Sequence, residues 1–251
     1  MHGNVTEIFA SIQGEGIMVG IPMIFIRLAG CNRRCRYCDT HYAWEVPPTM
    51  SIKSPIHLDA IQEIANPVSV TDVLTCVKNL TSECARVRWI SITGGEPLLQ
   101  PEFTAAIARA LKGDGFKVLL ETQGDLPTQL QRAIQFMDAV AADIKLPSTT
   151  GEPLSWERVR DALAIAEHSP SLAFVKVVIT PDVDIDEIKC AAELVASINQ
   201  HMTFVLQPVT PTGCIHEPPS SELLWRLCCI VSRRLHDVRI VPQTHRMLQM
   251  P

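Results

Sequence analysis

Cys31, Cys35 and Cys38 stand in a C-x3-C-x2-C pattern directly after the apolar run Ile21-Pro22-Met23-Ile24-Phe25-Ile26-Arg27-Leu28. Cysteine thiolates hold iron–sulfur clusters, usually four to a cluster, and a tetrahedral structural zinc also takes four ligands. Three thiolates leave one coordination position open, and an open position is where a metal centre does chemistry. His41 follows Cys38 by three residues, so a closed Cys3His zinc site is an alternative, at a spacing unlike that of common zinc fingers. The remaining cysteines, Cys76, Cys84, Cys190, Cys214, Cys228 and Cys229, form no second close-spaced set and read as buried small apolar side chains.

A repeated βα pattern must position this loop. Strands are expected at 23–28, 87–92, 117–121, 139–144, 173–179 and 203–207, with a further extended piece at 238–241. Helices are expected between them at 70–84, 101–112, 126–136, 155–167, 184–200 and 220–235. The polar residues then fall at strand C-termini. Arg27 closes the first, Thr93-Gly94-Gly95-Glu96-Pro97 follows the second, Glu121-Thr122 ends the third, Asp143 and Lys145 the fourth, and Gln207-Pro208 the sixth. In a barrel of right-handed βα units those ends gather at one mouth, where barrel enzymes carry their active sites. Six units are fewer than the eight of a closed barrel, so the expected fold is α/β, an incomplete (β/α)6 TIM-like barrel with an open lateral side. Gly94-Gly95 taken alone reads equally well as a tight turn. The stretch 47–67, with four prolines, reads as an insertion or lid.

Composition sets the surroundings. The chain has 251 residues, 47% apolar and 20% charged, enough to bury a substantial core, and is expected to be one domain over 1–251. Its formal charge of -5 gives no global reason to expect a nucleic-acid partner, and Arg33, Arg34 and Arg36 read as solvating a loop or meeting an anionic ligand. No stretch approaches roughly 18 uninterrupted apolar residues, and the first residues lack a signal-like pattern, so no membrane association is expected. Nine cysteines is an odd count in a chain too large to need disulfide staples. Reduced thiols and a cytoplasmic location follow as expectations.

The cysteine loop after a first strand, Tyr37 immediately before Cys38, and Gly94-Gly95-Glu96-Pro97 after a second strand resemble the radical S-adenosylmethionine (SAM) enzymes. That resemblance implies a [4Fe-4S] cluster on the three cysteines, one per chain, whose open iron takes the amino and carboxylate groups of SAM. It further implies one-electron cleavage of the S–C5′ bond to a 5′-deoxyadenosyl radical that abstracts hydrogen from substrate. A narrower resemblance, to the 7-carboxy-7-deazaguanine synthase family, rests on the flanks. These are Glu7-Ile8-Phe9-Ala10-Ser11-Ile12-Gln13-Gly14-Glu15-Gly16, Gly20-Ile21-Pro22, Phe25-Ile26-Arg27-Leu28, Gly30-Cys31-Asn32, Cys38-Asp39-Thr40 and Gln243-Thr244-His245. It implies a carbon–nitrogen lyase that contracts 6-carboxy-5,6,7,8-tetrahydropterin to 7-carboxy-7-deazaguanine with loss of ammonia, on the route to queuosine- and archaeosine-type nucleosides, with SAM used catalytically and Mg2+ required.

Carried onto this chain, the resemblance implies cluster ligation by Cys31, Cys35 and Cys38, and Mg2+ ligation by the Thr40 hydroxyl, a hard oxygen suited to a hard cation. It implies a SAM site of Tyr37, Cys38, Asp39, Gly95, Asp143, Ile144, Lys145, Gln207, Pro208, Val209 and Thr210. The substrate site is Ile12, Gln13, Gly14, Glu15, Arg27, Thr93, His245 and Pro251, with Arg27 suited to bidentate binding of the 6-carboxylate. Beyond the cluster and SAM no catalytic residue is implied. Read without the family, Arg27 is a salt-bridge residue, Thr40 a helix cap and His245 structural. Glu96 either orients the Gly-Gly turn or accepts from the SAM amino group, and Glu121 pairs with Lys145 or a sugar hydroxyl. Expected partners are the pterin, an electron donor such as flavodoxin or ferredoxin, and a second copy in a homodimer. Two competing readings stay open: a glycyl-radical-enzyme activase with the same SAM chemistry, and a zinc-dependent interaction module.

Overall fold

The computed structural model describes residues 1–54, 61–83, 87–169 and 171–251. Ten strands make one sheet: β1 (Val5–Ile12), β2 (Pro22–Leu28), β3 (Thr49–Lys53), β4 (Ile61–Ala65), β5 (Trp89–Gly94), β6 (Lys117–Thr122), β7 (Ala139–Asp143), β8 (Leu172–Ile179), β9 (Thr203–Pro208) and β10 (Val238–Ile240). Their order is β10-β9-β8-β7-β6-β5-β2-β1-β3-β4. From β2 to β10 every neighbouring pair is parallel, whereas β1 runs antiparallel to β2 and β4 antiparallel to β3. A largely parallel sheet needs a crossover between successive strands, and helices supply most of them here. They are α1 (Val70–Glu83), α2 (Pro101–Gly113), α3 (Pro127–Ala133), α4 (Trp156–Glu167), α5 (Ile185–Ile198) and α6 (Ser221–Val231).

The strands and helices expected from periodicity are present within about two residues, apart from the helix ends at 136 and 235; a 3-10 turn, Ile134–Phe136, covers the first of these. Three helices start one residue later than expected because the polar residue at the expected start is the cap. The side chains of Ser155, Asp184 and Ser220 accept from the backbone N–H of Arg158, Asp186 and Leu223. Pro101 and Pro127 open α2 and α3, where a missing N–H costs nothing. Strand β1 was not expected from periodicity. The stretch 47–67, expected to be an insertion or lid, contributes β3 and β4 at the sheet edge; its residues 55–60 lie outside the described residues.

Side-chain alternation along each strand separates an outer core from an inner row. Outward residues such as Ile24, Ile26, Ile90, Ile92, Val118 and Leu120 pack under the helices in one large cluster, and Val175, Val177, Ile179, Phe204 and Leu206 in a second. The inner row is layered. Its deep layer is apolar, and a single cluster joins Phe9, Met23, Phe25, Leu119, Ala139, Ala141, Phe174 and Val205. Phe9 and Phe25 stack with ring centroids 5.0 Å apart. One step further toward the C-terminal ends of the parallel strands the same rows carry Arg27, Thr93, Glu121, Asp143, Lys176 and Gln207, and antiparallel β1 adds Glu7.

The six cysteines outside the loop were expected to be buried, and most are not. Cys76 is buried and Cys228 partly so, but Cys190, Cys214 and Cys229 are exposed. Helical period turns Cys190 and Cys229 to the outer faces of α5 and α6, and Cys214 lies in the loop after β9. Cys84 lies outside the described residues.

Candidate active site

The polar layer lines a cavity of about 510 Å3 at the C-terminal ends of the parallel strands. The cysteine loop enters it from the end of β2. Gly30 and Cys31 donate backbone N–H to Ala43 (2.9 Å) and Trp44 (3.1 Å), and the Cys38 N–H closes a turn on Cys35 (3.0 Å). All three thiols are free, half-buried and on the cavity wall. Burial raises the pKa of Cys31 and Cys35. Thr40 stands at the start of the short turn His41–Ala43 without a side-chain capping bond, its hydroxyl 3.8 Å from Cys38 Sγ.

The arginines between the cysteines anchor this loop. Arg33 is buried against Asp125 (2.5 Å) and donates to the Pro153 carbonyl (3.1 Å). Arg34 stacks on Trp44, 4.8 Å to the ring centroid, and its backbone N–H bonds Glu152 (2.7 Å). Arg36 reaches the Ser148 carbonyl (2.6 Å) and Asp182 (3.0 Å). The Gly94-Gly95 turn lies against the same loop: a Cβ on Gly95 would come within 2.2 Å of the Gly30 carbonyl oxygen, and Gly94 has φ +152 with Leu28 O 2.3 Å from its Cβ position. Here glycine is a requirement of close backbone approach.

Glu96 orients that turn. It is wholly buried and accepts from Leu98 N–H (2.9 Å), Thr122 hydroxyl (2.8 Å) and Gln123 N–H (2.8 Å). Burial pushes its pKa up to about 7, partly opposed by the donors. Glu121 does not pair with Lys145; it accepts from Gln13 Nε2 (3.0 Å) and Ser91 Oγ (2.5 Å). Lys145 pairs instead with Asp143 (2.8 Å) and lies over the Tyr37 ring.

The N-terminal motif forms the other wall. Gln13 and the chain beyond it exchange two backbone bonds, Gln13 N–H to Ile21 O and Gly20 N–H to Gln13 O, both 2.8 Å. Glu15 is ion-paired with Lys176 and accepts from Gln243 Nε2 (2.7 Å). Burial would raise the Glu15 pKa, but Lys176 outweighs it and holds the carboxyl below its ordinary value. Lys176 also pairs with Asp143 at 3.2 Å. Arg27 donates from Nε to Glu7 (2.8 Å) and its guanidinium lies over Phe9. Asp39, held below its ordinary pKa by Arg246 despite burial, accepts from Arg246 at 2.9 Å. His245 presses on Gly14, where a Cβ would overlap the ring, and burial lowers its pKa. The Pro251 carbonyl oxygen accepts from Ser11 (2.7 Å).

Of the residues assigned from sequence to the cluster, SAM, Mg2+ and substrate sites, all but two line this cavity. Ile144 is the first exception: it follows β7 on the outward row and is buried in the helix-side core, its backbone N–H bonded to the Lys176 carbonyl (2.9 Å). Pro208 ends β9 beside the wall formed by Gln207 and Val209. Lys176, Glu7, Asp125 and Lys53 were not singled out. Lys176 had a signal, a charged residue on the alternate row of the apolar strand Leu172–Ile179. Glu7 stood inside the N-terminal motif, whereas Lys53 and Asp125 stood in no motif.

The zinc alternative finds no support in the geometry. Among the described residues no three His, Cys, Asp or Glu side chains converge on a position for a single metal ion. A four-iron cluster spreads its thiolates around a cube and does not ask for that convergence, but Cys3His zinc does. His41 packs edge-on to Tyr42 and Trp44 instead.

Residues 25–195 match the radical SAM superfamily. A 7-carboxy-7-deazaguanine synthase from Geobacter sulfurreducens is 37% identical over 245 residues, covering 96% of this chain and 95% of that protein. One from Methanopyrus kandleri is 32% identical, covering 98% and 93%. The chain belongs to the 7-carboxy-7-deazaguanine synthase family. Among solved structures, the crystal structure of QueE from Escherichia coli is similar in fold, with a TM-score of 0.61 and 24% identity over 97% of this chain and 94% of that one.

Membership of this family makes the chain a radical SAM enzyme, with a [4Fe-4S] cluster and SAM as its cofactors. The residues present fit both groups. Three free thiols face one cavity, and the buried Tyr37 hydroxyl, Asp143 Oδ1 and Gln207 Oε1 beside them have no protein partner among the described residues. Buried polar atoms without partners mark where a ligand belongs. No helix among the described residues is long and apolar enough to cross a membrane.

Proposed function

We propose that this chain converts 6-carboxy-5,6,7,8-tetrahydropterin to 7-carboxy-7-deazaguanine with release of ammonia. The observation that carries this reading is a single cavity lined at once by the cysteine loop and by Gln13, Glu15 and Arg27. Loss of ammonia alone relates product to substrate, so the conversion is redox-neutral and consistent with SAM being regenerated. We infer that the sheet is an incomplete TIM-like barrel within one domain. Its support is the apolar cluster that joins Phe9 of β1 to Val205 of β9, although five strands lie between them in sheet order.

Cys31, Cys35 and Cys38 would hold the cluster, and Tyr37, Gly95, Asp143, Lys145, Gln207 and Thr210 would line the SAM site. When bound, these cofactors supply a one-electron cleavage that yields the 5′-deoxyadenosyl radical for hydrogen abstraction. The protein's own part is binding and orientation. Arg27 uses Nε for Glu7, and among the described residues its two terminal nitrogens make no hydrogen bond to protein, which suits them to a substrate carboxylate. Glu15, kept ionised by Lys176, and Glu121 offer acceptors to the N–H groups of the pyrimidine ring. Gln13 is locked between Glu121 and the Glu15 N–H (3.0 Å). The stacked Phe9 and Phe25 floor is apolar and suits a flat ring.

Thr40 is proposed as the Mg2+ ligand because its hydroxyl faces the cavity and caps nothing. A flavodoxin- or ferredoxin-type reductant, a homodimer and a cytoplasmic setting complete the proposal; the free thiols suit a reducing compartment. Anaerobic reconstitution tests the reading: four irons per chain, SAM cleavage on reduction, and turnover of the carboxytetrahydropterin stimulated by Mg2+ are expected. SAM cleavage without that product would overturn the substrate assignment and favour the activase. Thr40→Ala is expected to lose the Mg2+ response and keep its iron.

A further inference from the structure

We propose that Lys53 is a substrate-binding residue, forming with Arg27 a two-cation clamp for the substrate's carboxylate, with Glu7 as the positioning residue that holds both cations. The proposal rests on the pterin reading above. Glu7 is 4% exposed on the inner row of β1 and accepts from Arg27 Nε (2.8 Å), Tyr42 hydroxyl (2.8 Å) and Lys53 Nζ (2.6 Å). Burial works against its charge, yet Arg27 and the three donors leave its pKa lowered, so two cations share one fully bonded carboxylate. Among the described residues, Arg27 and Lys53 thus carry one more charge than the carboxylate they share, with Asp39 attracting Arg27 from further off.

The other cations that line the cavity are matched. Lys176 and Lys145 answer Glu15 and Asp143, Arg33 answers Asp125, and Arg246 answers Asp39. A surplus charge beside the poorly solvated Arg27 side chain is costly unless an anion joins it. A monocarboxylate joining Glu7 balances this pair of cations, and both keep donors for it. Lys53 Nζ has three protons and uses one on Glu7, and its side chain, 45% exposed, stands at the cavity rim.

Backbone pairing fixes this placement. Strand β3 runs parallel to β1 with Lys53 opposite Phe9 and Ser51 opposite Glu7, which brings the end of the edge hairpin to the pocket. The segment 47–67 thereby supplies a specificity residue from outside every motif.

Titration of the reconstituted enzyme with 6-carboxypterin and with unsubstituted pterin, followed by fluorescence and calorimetry, tests this. The wild-type chain is expected to prefer 6-carboxypterin. Lys53→Met should weaken 6-carboxypterin about tenfold, the worth of one charge-assisted hydrogen bond, and leave pterin within about twofold. Lys53→Arg should restore the preference. If Lys53→Met keeps the wild-type preference, or weakens both probes equally, Lys53 merely partners Glu7 and the proposal is overturned, with the substrate reading still standing on wild-type turnover. A wild-type chain that does not distinguish the probes would overturn both.

Discussion

Glu96, Glu15 and Glu7 are three carboxyls around one cavity, set to different states by their neighbours. Glu7 and Glu15 each have a cation in contact, which outweighs burial and holds them below their ordinary pKa. Three donors but no cation meet Glu96, and burial pushes it up to about 7 from 4.5. A carboxyl raised in the fold binds its proton more tightly there than in the unfolded chain. Its stabilising contribution is therefore complete below pH 4.5 and is lost as pH rises through 7, by roughly 3 kcal/mol over that window. Glu7 and Glu15 act oppositely: their contributions persist through this window and fall away only at acid pH. Anaerobic denaturant unfolding of wild type and Glu96→Gln at pH 4.5 to 7.5 separates Glu96 from the rest. The wild-type curve should decline relative to the variant by about that amount, and parallel curves would show that Glu96 stays ionised.

At the scale of elements, the cysteine loop is held less by its own sequence than by the segment 147–153 and by Asp125. Strands and helices were legible because alternating and helical periods are local, and Ser155, Asp184 and Ser220 announce their helices. What the arginines of the loop meet was not legible, since Arg33 and Asp125 are 92 residues apart and no local pattern couples them. Strand β1 escaped because both its faces are covered and its run Val-Thr-Glu-Ile-Phe-Ala-Ser-Ile mixes an outer core row with the polar cavity row. The Arg33–Asp125 pair is buried on both sides, so Asp125→Ala leaves a guanidinium in the interior and should cost about 3–5 kcal/mol. Arg33→Met combined with Asp125→Leu should recover much of that stability. Thermal unfolding checks the energies, and iron content per chain checks whether the loop still seats its thiols. A single variant as stable as wild type would refute the anchoring role.

Across the whole molecule, the cavity exists because strands far apart in sheet order share one apolar floor. Its polar layer was legible as residues at strand ends, and Arg27, Thr93, Asp143 and Gln207 do line one cavity. Their ion pairs were not legible, because Lys176 meets Glu15 across 161 residues and only the folded sheet brings them together. Phe174 is the side chain that joins these levels. It sits in the floor cluster with Phe9 and Val205, two positions before Lys176 on the same row of β8, and packs against Gly16, whose added Cβ would lie 2.5 Å from its ring. The ring thus supports the turn that carries Gln13, Gly14 and Glu15, while the cysteine loop rests on other residues. Phe174→Ala should cost about 3–5 kcal/mol through the cavity it opens. It should also weaken pterin binding more than it lowers iron loading, because the substrate wall loses its backing and the cluster loop keeps its arginine anchors. Calorimetric titration with 6-carboxypterin, iron analysis and thermal unfolding on the same preparation decide it. Equal loss of iron and pterin affinity would mean that the two walls depend on the floor alike.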